Sequence, residues 1–501
     1  MELFSHLVTG FETSLQPANL AYCLIGVIVG TAIGVLPGLG PLATISMLLP
    51  LTYALDPVSA LIMLAGIYYG AQYGGSTTAI LVNLPGEASS VVTAIDGHKM
   101  ANSGRAGAAL SIAALASVFA GTISTFFVAG FSPLLASVAL SFGPAEYFSL
   151  MVVGLVAAVI LASGSLLKAI GMVLVGLILG SVGIDNNSGA YRFTFGSIEL
   201  STGIEFVSIA MGLFAFADII AHVSDKTSNK TVIHKITHLW PTRQDFKDAT
   251  PAATRGTILG SILGILPGGG AALASFSAYT LEKRVSRHPE RFGNGAVEGV
   301  AGPEAANNAA AQTSFIPMLT LGIPSNGTMA LMMGAMMIHN IAPGPQVITQ
   351  QPVLFWGLVT SMFVGNVMLV LLNLPLVGIW VKLISVPYRY LYPAILMFCV
   401  IGLYSIQNQT FEITVAAVFG LLGYLFMRMR CEPAPLLLGF ILGPMLESNL
   451  KRAMLLAKGD ATTFFTRPIS ATMLLIALLL LLSVVVPQFR KKREEVFTEE
   501  A

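Results

Sequence analysis

Apolar residues along this chain gather in long unbroken runs instead of the two-residue or three-and-four-residue alternation of half-buried elements. Runs at about 57–84, 106–131, 144–163, 166–183 and 204–221 fill the first half, and runs at about 299–323, 353–381, 391–409, 411–428 and 470–487 fill the second. Each is long enough for a tilted helix to cross a hydrocarbon layer. Two shorter apolar pieces, 328–341 and 434–449, fall below that length and stay unassigned. Between the halves lies the longest hydrophilic stretch, 222–254, with Lys226, Lys230, Lys235, Arg243, Lys247 and three histidines. The excess of basic residues places it in the cytoplasm. The pattern predicts an all-α polytopic membrane protein of about 10–12 transmembrane helices, divided as a first membrane repeat (1–221), a cytoplasmic connecting loop (222–254), a second membrane repeat (255–489) and a charged tail (490–501).

The two halves carry the same signature. Gly26-Val-Ile-Val-Gly-Thr-Ala-Ile-Gly-Val-Leu-Pro-Gly-Leu-Gly40 overlies Gly256-Thr-Ile-Leu-Gly-Ser-Ile-Leu-Gly-Ile-Leu-Pro-Gly-Gly-Gly270 at an offset of 230, with eight identities in fifteen positions. A weaker echo relates Asn83-Leu-Pro-Gly-Glu-Ala-Ser-Ser90 to Gly322-Ile-Pro-Ser-Asn-Gly-Thr328. Glycines four apart leave one helix face as bare backbone, which permits close helix packing. The terminal Leu-Pro-Gly-x-Gly does something else: proline and clustered glycine end the helix and free backbone groups, which lipid penalises by several kcal/mol each. Such backbone must face protein, water or ligand. Arg255 on one flank of the second copy and Lys283, Arg284, Arg287 and Arg291 on the other put both its ends on the cytoplasmic side, so it is expected to enter and return. The first copy has no Lys or Arg from the N-terminus through Ala60, which suits a hairpin entering from the opposite face. Five spans between the copies also require inverted repeats, the usual plan of secondary transporters. The end of the chain leaves two arrangements: either 434–449 spans and Lys451, Arg452, Lys458 and Arg467 lie outside, or it does not and the Arg490-Lys-Lys-Arg493 cluster does.

Composition agrees with lipid as the solvent. The 501 residues are 55% hydrophobic and 10% charged, with a mean hydropathy of +0.79, and no soluble domain fits between the apolar runs. The net charge of +1 hides a strong segregation of Lys and Arg into loops, and nucleic acid is not a plausible partner. Residues 1–19 lack the basic n-region of a signal peptide, so the first apolar run is expected to be retained. Cys23, Cys399 and Cys431 are scattered singly, without metal or disulfide spacing. HExxH, GxSxG and GxxxxGK[ST] do not occur, so neither a common hydrolase nor an ATPase is signalled. No cofactor is expected beyond a coupling ion, Na⁺ or H⁺.

Polar residues beside the broken segments are the candidates for function, because lipid makes them costly. One cluster surrounds Pro37, Gly38 and Gly40; a second is Ser76, Thr77 and Thr78 running into Asn83, Pro85, Gly86 and Glu87. A third is Pro267, Gly268, Gly269 and Gly270; the fourth is Glu304, Asn307 and Asn308 leading to Thr320, Pro324, Ser325 and Asn326. Free N–H groups at half-helix N-termini carry roughly half a positive charge and suit a carboxylate. Hydroxyls, carboxamides and exposed carbonyls suit a dehydrated Na⁺, with Thr78, Asn83, Asn308 and Thr320 as ligand candidates. The bland alternative is that these groups only bond neighbouring helices, worth about 1 kcal/mol each. Glu87, Glu304 and Asp218 are the acids that could carry a proton, although Asp218 sits one turn from a span end, where a solvated acid is ordinary. Glu447 precedes Lys451 by four residues and reads as a structural ion pair. Two other classes compete: a channel, since broken helices also build filters, and an intramembrane enzyme, which would need a nucleophile and base or a metal triad. No histidine lies in a broken segment, and His339 reads as interfacial.

Four strings carry a family resemblance: Tyr68-Tyr-Gly-Ala-Gln-Tyr-Gly-Gly-Ser-Thr-Thr-Ala-Ile-Leu-Val-Asn-Leu-Pro-Gly-Glu87, Glu304-Ala-Ala-Asn-Asn-Ala-Ala-Ala311, Leu319-Thr-Leu-Gly-Ile-Pro-Ser325 and Leu442-Gly-Pro-Met-Leu-Glu-Ser-Asn-Leu-Lys-Arg452. Together they resemble the large membrane subunit of the tripartite tricarboxylate transporters, over about residues 15–470. The resemblance implies a multi-pass protein of the bacterial inner membrane that takes substrate from a periplasmic substrate-binding protein and works with a small four-span membrane subunit. It also implies uptake of citrate or a related small carboxylate driven by Na⁺ or H⁺. Ser76, Thr77, Thr78, Asn83, Pro85, Gly86, Asn307, Asn308, Pro324 and Ser325 occupy the family's motif positions. Gln312-Thr-Ser-Phe departs from it, since small residues are commoner there, and the local pocket could suit a different substrate.

Overall fold

The computed structural model describes residues 2–36, 40–83, 86–162, 165–185, 189–224, 239–266, 270–384 and 388–485. The first half runs α1 (Glu2–Ser14), α2 (Pro17–Gly34), α3 (Pro41–Thr52), α4 (Pro57–Val82), a 3-10 turn (Ala88–Ser90), α5 (Val91–Met100), α6 (Ala106–Ala139), α7 (Pro144–Leu161), α8 (Leu166–Gly180), α9 (Phe206–Ala210) and α10 (Ala217–Ser224). The second runs α11 (Arg243–Ile265), α12 (Gly270–Val285), α13 (Glu298–Thr313), α14 (Phe315–Leu321), α15 (Gly327–Ile338), α16 (Gln346–Gln350), α17 (Pro352–Asn373), α18 (Val377–Ile384), α19 (Tyr388–Gln407), α20 (Phe411–Arg428), α21 (Ala434–Leu456), α22 (Thr463–Thr466) and α23 (Pro468–Val485). Among the described residues the one sheet is a two-residue pairing of Gly183–Ile184 with Tyr191–Arg192. Large side chains such as Leu134, Leu167, Leu371 and Leu421 stand exposed on helix faces, as lipid-facing positions do and soluble surfaces seldom do. The protein is an all-α polytopic membrane protein.

Breaks shorten the helices relative to the sequence expectation of about 10–12 spans. Among the described residues four helical stretches are long and apolar enough to cross a membrane by length and composition, Pro17–Gly34, Ala88–Ala139, Pro352–Asn373 and Phe411–Arg428, and six more are apolar but shorter. The run 299–323 is not one span. It divides at Ser314 into α13 and α14, and α14 ends in a left-handed cap at Gly322. The piece 328–341 forms α15, and the hydrophilic 222–254 is not loop throughout, since α11 begins at Arg243, capped by Thr242 and Asp245. Residues 225–238 lie outside the described residues.

Glycine ladders build both repeats in the same way. A methyl on Gly26, Gly30 or Gly34 would strike the carbonyl oxygens of Met63, Ile67 and Ala71, so α2 lies against α4 backbone to backbone and parallel to it. Gly256, Gly260 and Gly264 meet the carbonyls of Gly302, Ala306 and Ala310 in the same register, which sets α11 against α13. Contacts between the halves run the opposite way: Ser76 of α4 bonds Glu304 in the first half of α13, while Tyr68, two turns earlier in α4, lies beside Ser314 at its end. The repeats are therefore antiparallel to each other. Polar clamps fix them. Asp96 of α5 accepts from the N–H groups of Gly293, Gly295 and Ala296 at 2.7–2.9 Å and from the Tyr279 hydroxyl at 2.9 Å, holding the segment that leads into α13.

The piece 434–449 falls within α21, whose two ends meet opposite ends of the α7–α8 pair. α21 is 23 residues long, and at its start Lys168 Nζ donates to Met429 O at 2.6 Å, marking the basic end of α8. Beyond its other end Arg467 pairs with Glu146 at the start of α7. Lys451, Arg452, Lys458 and Arg467 thus lie on the side away from Lys168. The expected Glu447–Lys451 pair is present at 2.7 Å, joined by Asp185 and Arg192. The Arg490–Arg493 cluster lies outside the described residues.

Candidate functional site

Two helix breaks set the geometry. α4 ends at Asn83 (φ 56°, ψ 30°) and α14 at Gly322 (φ 69°, ψ 29°), both left-handed, a conformation that Asn and Gly adopt most cheaply. Proline two residues later prevents the helix from resuming. Each break then reaches an extended residue that caps the next helical segment: Glu87 (φ −149°, ψ 166°) before the 3-10 turn, and Asn326 (φ −157°, ψ 176°) before α15. Asn326 Oδ1 accepts from Met329 N at 2.9 Å, and the Glu87 carboxylate accepts from Ser89 Oγ. Gly86 is packed so closely on Gly75 that a Cβ would lie 2.6 Å from its Cα, and in the matching place Ser325 Oγ donates to Ser314 O at 3.2 Å.

The caps are served from the opposite repeat. Asn307 Nδ2 of α13 lies 3.5 Å from Glu87 Oε1, a long contact, and the Tyr68 hydroxyl of α4 lies beside Asn326, Ser314 and Gln72. Tyr68 and Asn307 are equivalent positions, each five residues after the first carbonyl of its ladder, Met63 or Gly302. The half-helices arrive at the same place: a Cβ at Gly40, the N-cap of α3, would stand 3.6 Å from Glu87 Cβ, and one at Gly270, the first residue of α12, 4.0 Å from Asn326 Cβ. Glu87, Asn307, Tyr68 and Asn326 thus mark a pseudo-two-fold crossing rimmed by helix N-termini.

A second polar cluster lies on the α4, α6 and α13 side. Glu304, 1% exposed, accepts from Ser76 Oγ at 2.8 Å, Ser117 Oγ at 3.3 Å and Thr93 Oγ1. Asn308 Nδ2 donates to Ser117 Oγ at 2.7 Å and to Glu304 O at 3.0 Å. Among the described residues no Lys, Arg or His contacts Glu87 or Glu304. A small, partly open space of about 20 Å³, room for about one water-sized particle, adjoins Glu304 and is lined also by Tyr73, Thr77 and Asn373.

The Tripartite tricarboxylate transporter TctA family profile matches residues 20–438, nearly the whole helical body just described. The chain belongs to this family. It is 57% identical over 500 residues, the full length of both chains, to an uncharacterized 52.8 kDa protein of the TAR-I ttuC′ 3′ region of Agrobacterium vitis. It is also 57% identical over 241 residues, 48% of this chain and the whole of the other, to an uncharacterized protein of the TAR-II ttuC′ 3′ region of the same organism. No solved structure matches it. As a TctA-family protein it is a subunit of a tripartite tricarboxylate transporter, a class that is not enzymatic, and the family works with a binding protein and a small membrane subunit.

Within this TctA-family chain the structure gathers some of the sequence candidates and separates others. Gly40, Gly86, Glu87, Gly270, Asn307, Ser325 and Asn326 lie at or beside the crossing, whereas Ser76, Thr77, Asn308 and Glu304 belong to the second cluster. Pro37, Gly38, Pro85, Pro267, Gly268 and Gly269 lie outside the described residues. Pro324 sits within the second break. The four nominated Na⁺ ligands are dispersed: Thr78 bonds Val35 O and Gly74 O, Thr320 bonds Ile316 O, Asn83 caps α4 and Asn308 serves Ser117. Asp218 lies half-buried in α10, which packs on α20, apart from both clusters. Gln312 is buried with Nε2 3.4 Å from Asn366 Oδ1, and the departing residues Ser314 and Phe315 border Tyr68. Sequence reading missed Tyr68, Thr93, Ser117 and Asn373. Ser117 and Asn373 were visible as polar residues inside apolar runs.

Proposed function

We propose that this subunit carries a small carboxylate of the citrate class inward across the bacterial inner membrane, coupled to Na⁺ or H⁺, after delivery by a periplasmic binding protein and together with a four-span subunit. The observation that supports this most is the reciprocal crossing of Asn307 with Glu87 and Tyr68 with Asn326. Helix N-termini at α3, α12 and α15 converge there with carboxamide and hydroxyl donors, a suitable setting for a carboxylate. Glu87 gives the site its logic. An anion is repelled by this half-buried carboxylate unless a cation or proton arrives with it, so substrate and coupling ion favour each other's binding. Antiparallel repeats around one site are the arrangement that alternates access by moving one unit against the other.

The test is uptake of labelled citrate, other carboxylates and aromatic acids into proteoliposomes holding both membrane subunits and supplied with the binding protein. Saturable, ion-dependent uptake of a carboxylate is expected. Ohmic, non-saturating flux would favour a channel, and transport of none of these acids would remove the carboxylate assignment.

A further inference from the structure

The space beside Glu304 is lined by apolar side chains, among them Ile80, Leu110, Leu374 and Val377, and by a set of oxygen-bearing ones. Besides the Glu304 carboxylate it is lined by the hydroxyls of Ser76, Thr77 and Ser117 and by Asn373. Asn373 is 5% exposed, at the end of α17, and its Nδ2 donates to Leu369 O at 2.9 Å. Its Oδ1 is buried without a hydrogen-bond partner. A buried acceptor without a donor costs about 1–3 kcal/mol, and an ionised carboxylate without a counter-charge costs more.

We propose that this space is a Na⁺ site, with Glu304 as the charged ligand and Asn373 Oδ1, Ser76 and Ser117 as neutral oxygen ligands. Asn308 acts through Ser117, holding its hydroxyl with a 2.7 Å hydrogen bond. Three features select the ion. All the polar side chains facing the space offer oxygen, the choice of a hard cation; the single carboxylate balances a single positive charge; and about 20 Å³ accommodates one small ion without a hydration shell. A proton is the poorer occupant. A protonated Glu304 has one hydrogen bond to donate, while its carboxylate already receives three hydroxyls. Of the four residues nominated from sequence only Asn308 borders this site, as the partner of Ser117, and the site is separate from Glu87. The proposal deepens the symport reading by naming the ion and its ligands, but its test does not depend on that reading.

Thermal unfolding of the full-length purified subunit in detergent, without any carboxylate, is followed against NaCl at constant ionic strength maintained with choline chloride. Stabilisation that saturates with Na⁺ is expected for the parent. Glu304→Gln should lose it, and Asn373→Leu should fold and shift the half-effective Na⁺ concentration upward about tenfold. If Glu304→Gln does not fold, Asn373→Leu decides alone. No Na⁺-specific stabilisation of the parent, or the same Na⁺ dependence in Asn373→Leu, overturns the proposal. Na⁺ binding that survives alongside failed carboxylate uptake would remove the transport reading and leave this site standing.

Discussion

Asn307 and Tyr68 hold the same place in their respective repeats, and each lies against the cap residue of the other: Asn307 against Glu87 and Tyr68 against Asn326. This exchange links the two breaks, since each cap, closed within its own repeat, also carries a contact from the other. Asn307 also keeps a buried Oδ1 without a partner, a free acceptor at the crossing.

The exchange predicts a loss of transport without a loss of fold. Asn307→Ala and Tyr68→Phe each remove one polar group from the crossing while leaving the glycine ladders untouched. Removal of a buried hydrogen-bonding group from a binding site costs about 1–3 kcal/mol, so half-saturating substrate should rise at least roughly fivefold. Uptake kinetics and the melting temperature of the same preparations check this. Parental kinetics in both variants would remove the crossing as the substrate site.

The ladders predict the opposite outcome. Gly30→Ala and Gly260→Ala put a methyl against the carbonyls of Ile67 and Ala306, so α2 and α11 must move off their partners. Overpacking of this kind costs about 1–3 kcal/mol. Gly130→Ala and Gly171→Ala, where a Cβ meets nothing within 4 Å, serve as controls and should be neutral or slightly stabilising. Fluorescence-detected size exclusion after a heat challenge should show losses in the first pair only.

This division between packing and site explains what could be read from the chain. The duplicated glycine motif was legible because a ladder demands glycine at every fourth position, whichever fold surrounds it. The breaks were legible at Pro85 and Pro324 for the same reason, since proline writes a local constraint into the sequence. What joins Asn307 to Glu87, or Thr93 and Ser117 to Glu304, is tertiary and leaves no spacing to recognise. Thr78 and Thr320 show how a hydroxyl in an apolar run is occupied by backbone: both bond the carbonyl four residues earlier, and Thr78 also bonds Val35 O across to the end of α2.

The arrangement of α21 predicts labelling on two sides. In a chain lacking Cys431, a cysteine at Lys458 should react with an impermeant maleimide added to intact cells, and a cysteine at Arg430 should react only after permeabilisation. The Lys168–Met429 and Glu146–Arg467 contacts tie these positions to opposite ends of the bundle. Equal labelling of both positions in intact cells would contradict the span.

Arg105 and Asp245 form a 2.6 Å ion pair that joins the start of α6 to the start of α11. Burial alone would raise the Asp245 pKa, but the Arg105 guanidinium and the Thr242 cap hold it below its ordinary 3.8. A carboxyl with a depressed folded pKa contributes stability above 3.8 and loses it as the pH falls through the lower folded value. Asp245→Asn should therefore lower the melting temperature at neutral pH, at a cost of about 1 kcal/mol since Arg105 is partly exposed, and the gap to the parent should close in strong acid. A gap that stays constant down to that range would assign the effect to packing.

Uptake should be electrogenic, with net positive charge moving inward. Each negative charge carried into a negative-inside cell is opposed by about 2.3 kcal/mol per 100 mV, so a fully ionised tricarboxylate faces roughly 7 kcal/mol from voltage alone. Uncoupled entry would run backwards. The protein cannot cancel that charge with bases of its own, because among the described residues no Lys, Arg or His contacts Glu87 or Glu304, and these carboxylates add to the negative charge to be balanced. Cations entering with the substrate remove that opposition, and voltage assists the cycle only when they exceed the substrate's charge. The measurement is uptake into proteoliposomes whose voltage is clamped by a K⁺ gradient and valinomycin while the Na⁺ and H⁺ gradients stay fixed. A negative interior should accelerate uptake severalfold over a cycle without voltage. A rate that is unchanged or slower would mean that cations crossing in each cycle do not exceed the anionic charge, and the coupling scheme built on Glu87 and Glu304 would fall with that stoichiometry.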